Sequence, residues 1–131
     1  MIKIYTDGAA RGNPGPAAAG FIALEDNKII KKKSFFLSKT TNNVAEYTAV
    51  IKALEWAPKN KKIKLFSDSQ LIVKQIKGEW KIKKPHLQKL HKKVENLLKQ
   101  KNVEFKNVPR ENKGIKAVDY LINKELNKHE K

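Results

Sequence analysis

The chain alternates apolar and polar residues with a period of two over three early stretches. Ile2-Lys3-Ile4-Tyr5-Thr6-Asp7 is the first, and segments near 18–25 and 28–37 follow, with Asp26-Asn27 between them. A period of two sends successive side chains to opposite faces of a strand, and an Asp-Asn pair suits the left-handed backbone of a tight hairpin. The pattern predicts three strands, the last two forming a hairpin. Gly12-Asn13-Pro14-Gly15-Pro16 is rich in residues that break regular structure and is predicted to be a turn. From about Asn43 the period changes. Val44, Tyr47, Ile51 and Leu54 step by three and four along one helical face, which ends before Pro58. A strand at 62–67 follows, then a short helix from Ser69 to Lys77 stopped by Gly78. Pro85 opens another helix, with Leu87, Leu90, Val94, Leu97 and Leu98 as its buried stripe. A strand near 102–108 and a helix from about Lys116 into a frayed basic tail complete the chain. The order βββαβααβα predicts an α/β fold, a five-stranded mixed sheet whose antiparallel start is extended by parallel strands, with helices on both faces. Its 131 residues suit a single domain spanning 1–131.

Composition sharpens this picture. An apolar fraction of 40% supports a core, and a formal net charge of +16 attracts polyanions. A lysine-biased or heat-adapted proteome is the plainer source of such a charge. The absence of cysteine removes disulfides and thiolate metal sites and suits a reducing compartment. No apolar run approaches the ~20 residues of a membrane span, and Met1-Ile2-Lys3 leads directly into a strand. The expectation is a cytoplasmic protein with no membrane partner.

Against so much base, individual acids stand out. Asp7 ends the first apolar run, Asp68 ends the run at 62–67, and Glu46 lies in the first turns of a helix. In an open α/β sheet the carboxyl ends of neighbouring strands meet in one crevice. Carboxylates gathered there raise one another's pKa unless a cation neutralises them. Without cysteine or a suitably spaced histidine pair, that cation is a hard one, magnesium or manganese. Taken singly, Asp7 and Asp68 also read as turn residues, and Glu46 as an acid favoured by the helix dipole.

Thr6-Asp7-Gly8-Ala9-Ala10-Arg11-Gly12-Asn13-Pro14-Gly15-Pro16, Thr41-Asn42-Asn43-Val44-Ala45-Glu46 and Ser67-Asp68-Ser69-Gln70 together closely resemble the motifs of type 1 ribonuclease H. They occur in order, at family-like spacing, and cover almost the whole chain. Val108-Pro109-Arg110-Glu111 and Val118-Asp119-Tyr120-Leu121 resemble the family's final block, whose aspartate opens the last helix. The resemblance implies a ribonuclease H-like fold in the handle-less, single-domain form of archaea and bacteria. It implies hydrolysis of the RNA strand of RNA–DNA hybrids, leaving 3′-hydroxyl and 5′-phosphate ends. Asp7, Glu46, Asp68 and Asp119 become the catalytic, metal-binding carboxylates, holding two Mg²⁺ ions, with Mn²⁺ as a substitute. Two such ions activate the attacking water and hold the leaving oxygen of an in-line displacement. Gly8, Asn13, Thr41, Asn42, Asn43 and Gln70 match positions that touch the hybrid, although Asn42 or Asn43 also reads as a helix cap.

Several positions depart from the family pattern. A histidine common on the loop before the last aspartate is missing, and Arg110 and Glu111 are the nearest chemical candidates. The loop 112–117 reads about two residues longer than usual, with Ile115 where an asparagine is customary. Lys81, Lys83 and Lys84 stand where some members insert a basic handle, and Trp80 beside them reads as a residue that stacks on a sugar or packs into the core, with packing favoured. The expected partner is an RNA–DNA hybrid, bound by a monomer with low processivity because no hybrid-binding domain precedes Met1. Two rival functions remain at this level. One is a nuclease of the same fold acting on double-stranded RNA or DNA junctions. The other is a catalytically weak hybrid-binding module, against which the presence of all four carboxylates argues.

Overall fold

A computed structural model describes residues 1–130. Its elements are β1 (Ile2–Ala10), β2 (Gly15–Glu25), β3 (Lys28–Thr40), α1 (Asn42–Trp56), β4 (Lys62–Ser67), α2 (Gln70–Ile76), α3 (Pro85–Leu98), β5 (Asn102–Asn107) and α4 (Lys113–Lys128). The strands form one sheet in the order β3-β2-β1-β4-β5. β1 pairs antiparallel with β2 and parallel with β4, so it is the central strand where the two pairing modes meet. Asp26 and Asn27 both take positive φ, the geometry a two-residue hairpin needs to match strand twist.

Strand alternation divides the core between the two faces. Ile2, Ile4, Phe21, Ile63, Leu65 and Phe105 pack against α1 and α3, while Ala18 and Ile22 meet Val118, Ile122 and Leu126 of α4. Gly20 lets α4 lie close, since a Cβ there would stand 2.8 Å from the Ile122 Cγ2. The element order, sheet and two-sided helix layers are those expected from the sequence. Among the described residues, no helix is long and apolar enough to cross a membrane.

Four details differ from expectation. β1 continues to Ala10, so Asp7 lies within the strand and pairs with Gly20, although the ladder with β4 has ended at Tyr5 and Phe66. Gly15 and Pro16 belong to β2, not to the turn, because Pro16 needs no N–H there; its carbonyl accepts from the Arg11 N–H at 2.8 Å. Trp80 is 44% exposed rather than packed in the core. It follows Gly78 (φ 79°) in the loop after α2, whereas Gln75, within α2, is buried.

The fourth difference bears on the site. α4 starts at Lys113, one turn ahead of the expected Lys116, and continues to Lys128 instead of fraying. Asn112 caps it, its Oδ1 accepting from the N–H groups of Gly114 at 2.9 Å and Ile115 at 3.2 Å. Asp119 therefore does not open the helix but sits almost two turns inside it. Gly114 makes this register fit, because a Cβ would collide with the Tyr5 ring, itself stacked on Phe66 at 4.7 Å. Asn112→Ala should cost about 1 kcal/mol, the usual worth of an N-cap. Chemical denaturation should show that loss without a change in m-value, whereas unchanged stability would mean the cap is idle.

Candidate active site

Each acidic side chain reaches one crevice from a different element. Asp7 projects from β1 beyond the β4 ladder and is only 6% exposed. Asp68 stands in the turn that joins β4 to α2. Ser67 fixes that turn: its Oγ accepts from the Ser69 N–H at 3.1 Å, and its carbonyl accepts from Val108 N–H and Asn107 Nδ2 at 3.0 and 3.1 Å. Glu46 comes from the second turn of α1, whose N-cap Thr41 accepts from the Val44 N–H. The Gly8 N–H donates to Glu46 Oε1 at 2.8 Å, tying α1 to β1. Gly8 is needed for this approach, since a Cβ there would collide with the Ala45 backbone.

Carboxylate oxygens of Asp7, Glu46 and Asp68 all lie within 4.8 Å of one another. Asp119 falls outside that mutual group but comes from α4 to lie beside Asp7, within side-chain hydrogen-bonding reach, and both line a cavity of about 300 Å³ with Arg110. An adjoining cavity of about 270 Å³ adds Gly8, Asn42, Glu46 and Ser69 to its wall. The electrostatics follow from the crowding. Burial, then the charges of Asp68 and Asp119, push the Asp7 carboxyl up to about 8. Glu46 is pushed well above its ordinary range by burial and by Asp7 and Asp68, against the pull of the Gly8 N–H and Arg110. Burial also raises Asp68, opposed chiefly by Arg110. One buried and two half-buried carboxylates that resist ionising together, with no sulfur or imidazole among them, fit a hard divalent cation.

The other expected contacts divide. Asn13 and Asn42 join in a small lattice: Asn13 Oδ1 accepts from the Asn42 N–H at 3.0 Å, and Asn42 Oδ1 from the Ala10 N–H at 2.8 Å. Thr41, not Asn42 or Asn43, is the α1 cap. Gln70 opens α2 on the surface, and Glu111 lines the larger cavity with Arg110. Lys81, Lys83 and Lys84 are exposed on the segment between α2 and α3 and do not line either cavity. Sequence reasoning missed Ser69, Ile115 and Lys116 on the cavity walls. Ile115 had been marked only as an unexpected residue, and nothing in its pattern signalled a wall position.

The RNase H family model matches residues 1–126. The chain belongs to the RNase H family. Ribonuclease HI of Halobacterium salinarum is 41% identical over 100 residues, which cover 74% of this chain and 50% of that protein. The chain spans about half the length, or less, of the curated relatives it matches. Among solved structures, LC11-RNase H1 isolated from compost matches with a TM-score of 0.91 and 37% identity, covering 98% of this chain and 97% of that one. The same compost protein in complex with an RNA/DNA hybrid matches equally well, at 0.91 and 37%, over 98% and 99% of the chains.

In this RNase H family member the raised carboxyls set a direction for stability. A carboxyl whose folded pKa exceeds its unfolded value keeps its proton in the native state while the unfolded chain has lost it. Stability is then full below the unfolded value near 3.8 and declines as pH rises toward the folded value near 8. Between pH 5 and 8 the metal-free protein should lose stability, and Asp7→Asn should flatten the slope. Denaturant midpoints in the presence of a chelator measure this; a stability that climbs across that range contradicts the raised Asp7.

Proposed function

We propose that the chain is a metal-dependent endoribonuclease that hydrolyses the RNA strand of RNA–DNA hybrids. The observation that carries this reading is the group of Asp7, Glu46 and Asp68 at the mouth of the sheet, with Asp119 and Arg110 facing it. The compost relative that binds a hybrid supports the choice of substrate.

Asp7, Glu46 and Asp68 would hold the divalent ion, and Asp119, beside Asp7, would supply a further ligand. Mg²⁺ is the proposed ion, in two copies, with Mn²⁺ as a substitute. When bound, such ions lower the pKa of water and stabilise charge on the scissile phosphate and the departing 3′-oxygen, giving 3′-hydroxyl and 5′-phosphate ends. The chain's own residues then do the positioning. The Gly8 N–H fixes one oxygen of Glu46, leaving the other free to face the crevice. Arg110 contributes a permanent positive charge beside the phosphate, in a place where histidine is absent. Asn13 and Asn42 have committed their carbonyls to backbone donors, so their amide N–H groups are what remain for phosphate or minor-groove acceptors. Gly8, on the cavity wall beside Asp7, is the proposed backbone contact to a 2′-hydroxyl, the group that separates RNA from DNA. Thr41, Asn43 and Gln70, next in sequence to the wall residues Asn42 and Ser69, are proposed as further contacts, with Glu111 next to Arg110. A reducing compartment, the cytoplasm, suits a chain without cysteine, and a monomer is the proposed working form.

Asp68→Asn removes one charge from the ion-holding group, so cleavage should fall by roughly two orders of magnitude or more while hybrid binding persists. Cleavage of end-labelled hybrid and filter binding of the same substrate measure the two halves. Near-wild-type turnover would sink the assignment. In a parallel panel, hybrid should be cut far faster than duplex RNA, and duplex DNA should be bound but left intact.

Salt dependence separates grip from chemistry. Each phosphate neutralised by a lysine steepens the fall of log affinity with log salt by about 0.9 for a DNA-like duplex. Replacing Lys81, Lys83 and Lys84 together by alanine should make that slope shallower. An unchanged slope makes them ordinary surface lysines.

A further inference from the structure

A second cleft lies on the far part of the α1 face of the sheet. It has a volume of about 300 Å³ and is lined by Phe21, Phe35 and Trp56 below and Lys31, Lys33 and Lys52 above, with Glu55 at one edge. None of these residues belongs to the carboxylate site. Lys33 Nζ and Lys52 Nζ stand 5.8 and 5.1 Å from the centre of the same Phe35 ring. The Phe21 and Trp56 rings meet at 5.9 Å and continue the aromatic floor. Lys52 has a weak acidic neighbour, Glu55 at 3.8 Å, and no carboxylate is paired with Lys31 or Lys33 among the described residues. Lys33 and Lys52 instead use an aromatic face as partner, an attraction of about 0.5–1 kcal/mol at exposed sites. A phosphate displaces so weak a partner easily, and the ring face is then free.

We infer that this cleft binds single-stranded nucleic acid, with a base on the Phe35–Trp56 floor and the backbone phosphates on Lys31, Lys33 and Lys52. Aromatic rings beneath flexible cations are the elements of a sequence-tolerant single-strand site, where every base offers a π-face and every linkage a charge. Placement supports that ligand over an acidic peptide. The cleft lies ten residues along α1 from Glu46, which is about 15 Å at the helical rise. β3 runs from it directly to Thr40, beside the Thr41–Asn43 rim. A strand emerging from a hybrid held at the carboxylates could therefore reach the cleft. This last step rests on the proposed hybrid activity; the cleft's affinity for a single strand does not.

The test uses Trp56 as a local reporter. Trp56 and Trp80 are the two tryptophans, so Trp80→Phe leaves a single emitter in the cleft. Titration of that variant with oligo(dT), which carries no 2′-hydroxyl and is no hybrid, should quench its emission saturably. Charge reversal with Lys31→Glu, Lys33→Glu and Lys52→Glu should weaken that binding at least tenfold while cleavage of a blunt hybrid continues. A hybrid with a single-stranded overhang should quench Trp56, and a blunt hybrid should not. Absence of quenching, or quenching untouched by the charge reversal, overturns the inference. Tighter quenching by an oligo-aspartate peptide ending in phenylalanine also overturns it and assigns the cleft to a protein partner. Oligo(dT) binding with loss of hybrid cleavage in the parent chain would count against the hybrid reading alone.

Discussion

The mutual repulsion of carboxylates at the end of β1 is the constraint on which the site depends. Asp7 is almost sealed from water, has Asp68 and Glu46 within ligand distance, and lies beside the Asp119 carboxyl. In a chain with 29 basic residues, any of these acids could have been paired away by a lysine. Among the described basic residues only Arg110 pulls Glu46 and Asp68 back toward ionisation, while Asp7 gains only the Gly8 N–H. The arrangement is unfavourable for the empty protein and favourable once a divalent cation is present. That trade is the usual mark of a functional site rather than a structural one.

The rest of the fold holds this arrangement in place. The central strand carries Asp7 and pairs both ways, so its position is fixed by β2 on one side and β4 on the other. Asp68 is fixed by the hydrogen bonds to Ser67 from β5 and the turn after it, and Glu46 by Gly8. Asp119 depends on α4, whose register rests on the Asn112 cap and the contact of Gly114 with Tyr5. Arg11 adds a tie at the far end of the same helix, reaching Asn123 Oδ1 at 3.0 Å and Glu130. Rigid elements thus deliver all four carboxylates, which suits chemistry that needs them held in one geometry.

Much of this was legible in the sequence, for physical reasons. Period-two runs ending in Asp7 and Asp68, and a helix with Glu46 near its start, placed three acids at one edge before any coordinates. Strand and helix order followed from the change of period, and the hairpin from Asp26-Asn27. The failures were local conflicts resolved by tertiary contact. Lys113-Gly114-Ile115 reads as loop because glycine disfavours a helix, yet the Tyr5 ring requires glycine there. Gly15 and Pro16 read as turn because proline lacks a donor, yet at that point β2 uses only the proline carbonyl. Trp80 reads as core on hydrophobicity alone, and nothing local showed that Gln75 would be buried instead, satisfied by the Tyr47 hydroxyl at 2.7 Å.

The central claim is that the carboxylates keep protons until a divalent ion replaces them. Calorimetric titration with Mn²⁺ at pH 7, in buffers of different ionisation enthalpy, counts the protons expelled on binding. The Asp7 carboxyl, pushed up to about 8, predicts release of about one proton per chain, falling toward zero as the pH is taken well above 8. Metal binding with no proton release at pH 7 would mean the acids are already ionised in the empty site, and would contradict the account.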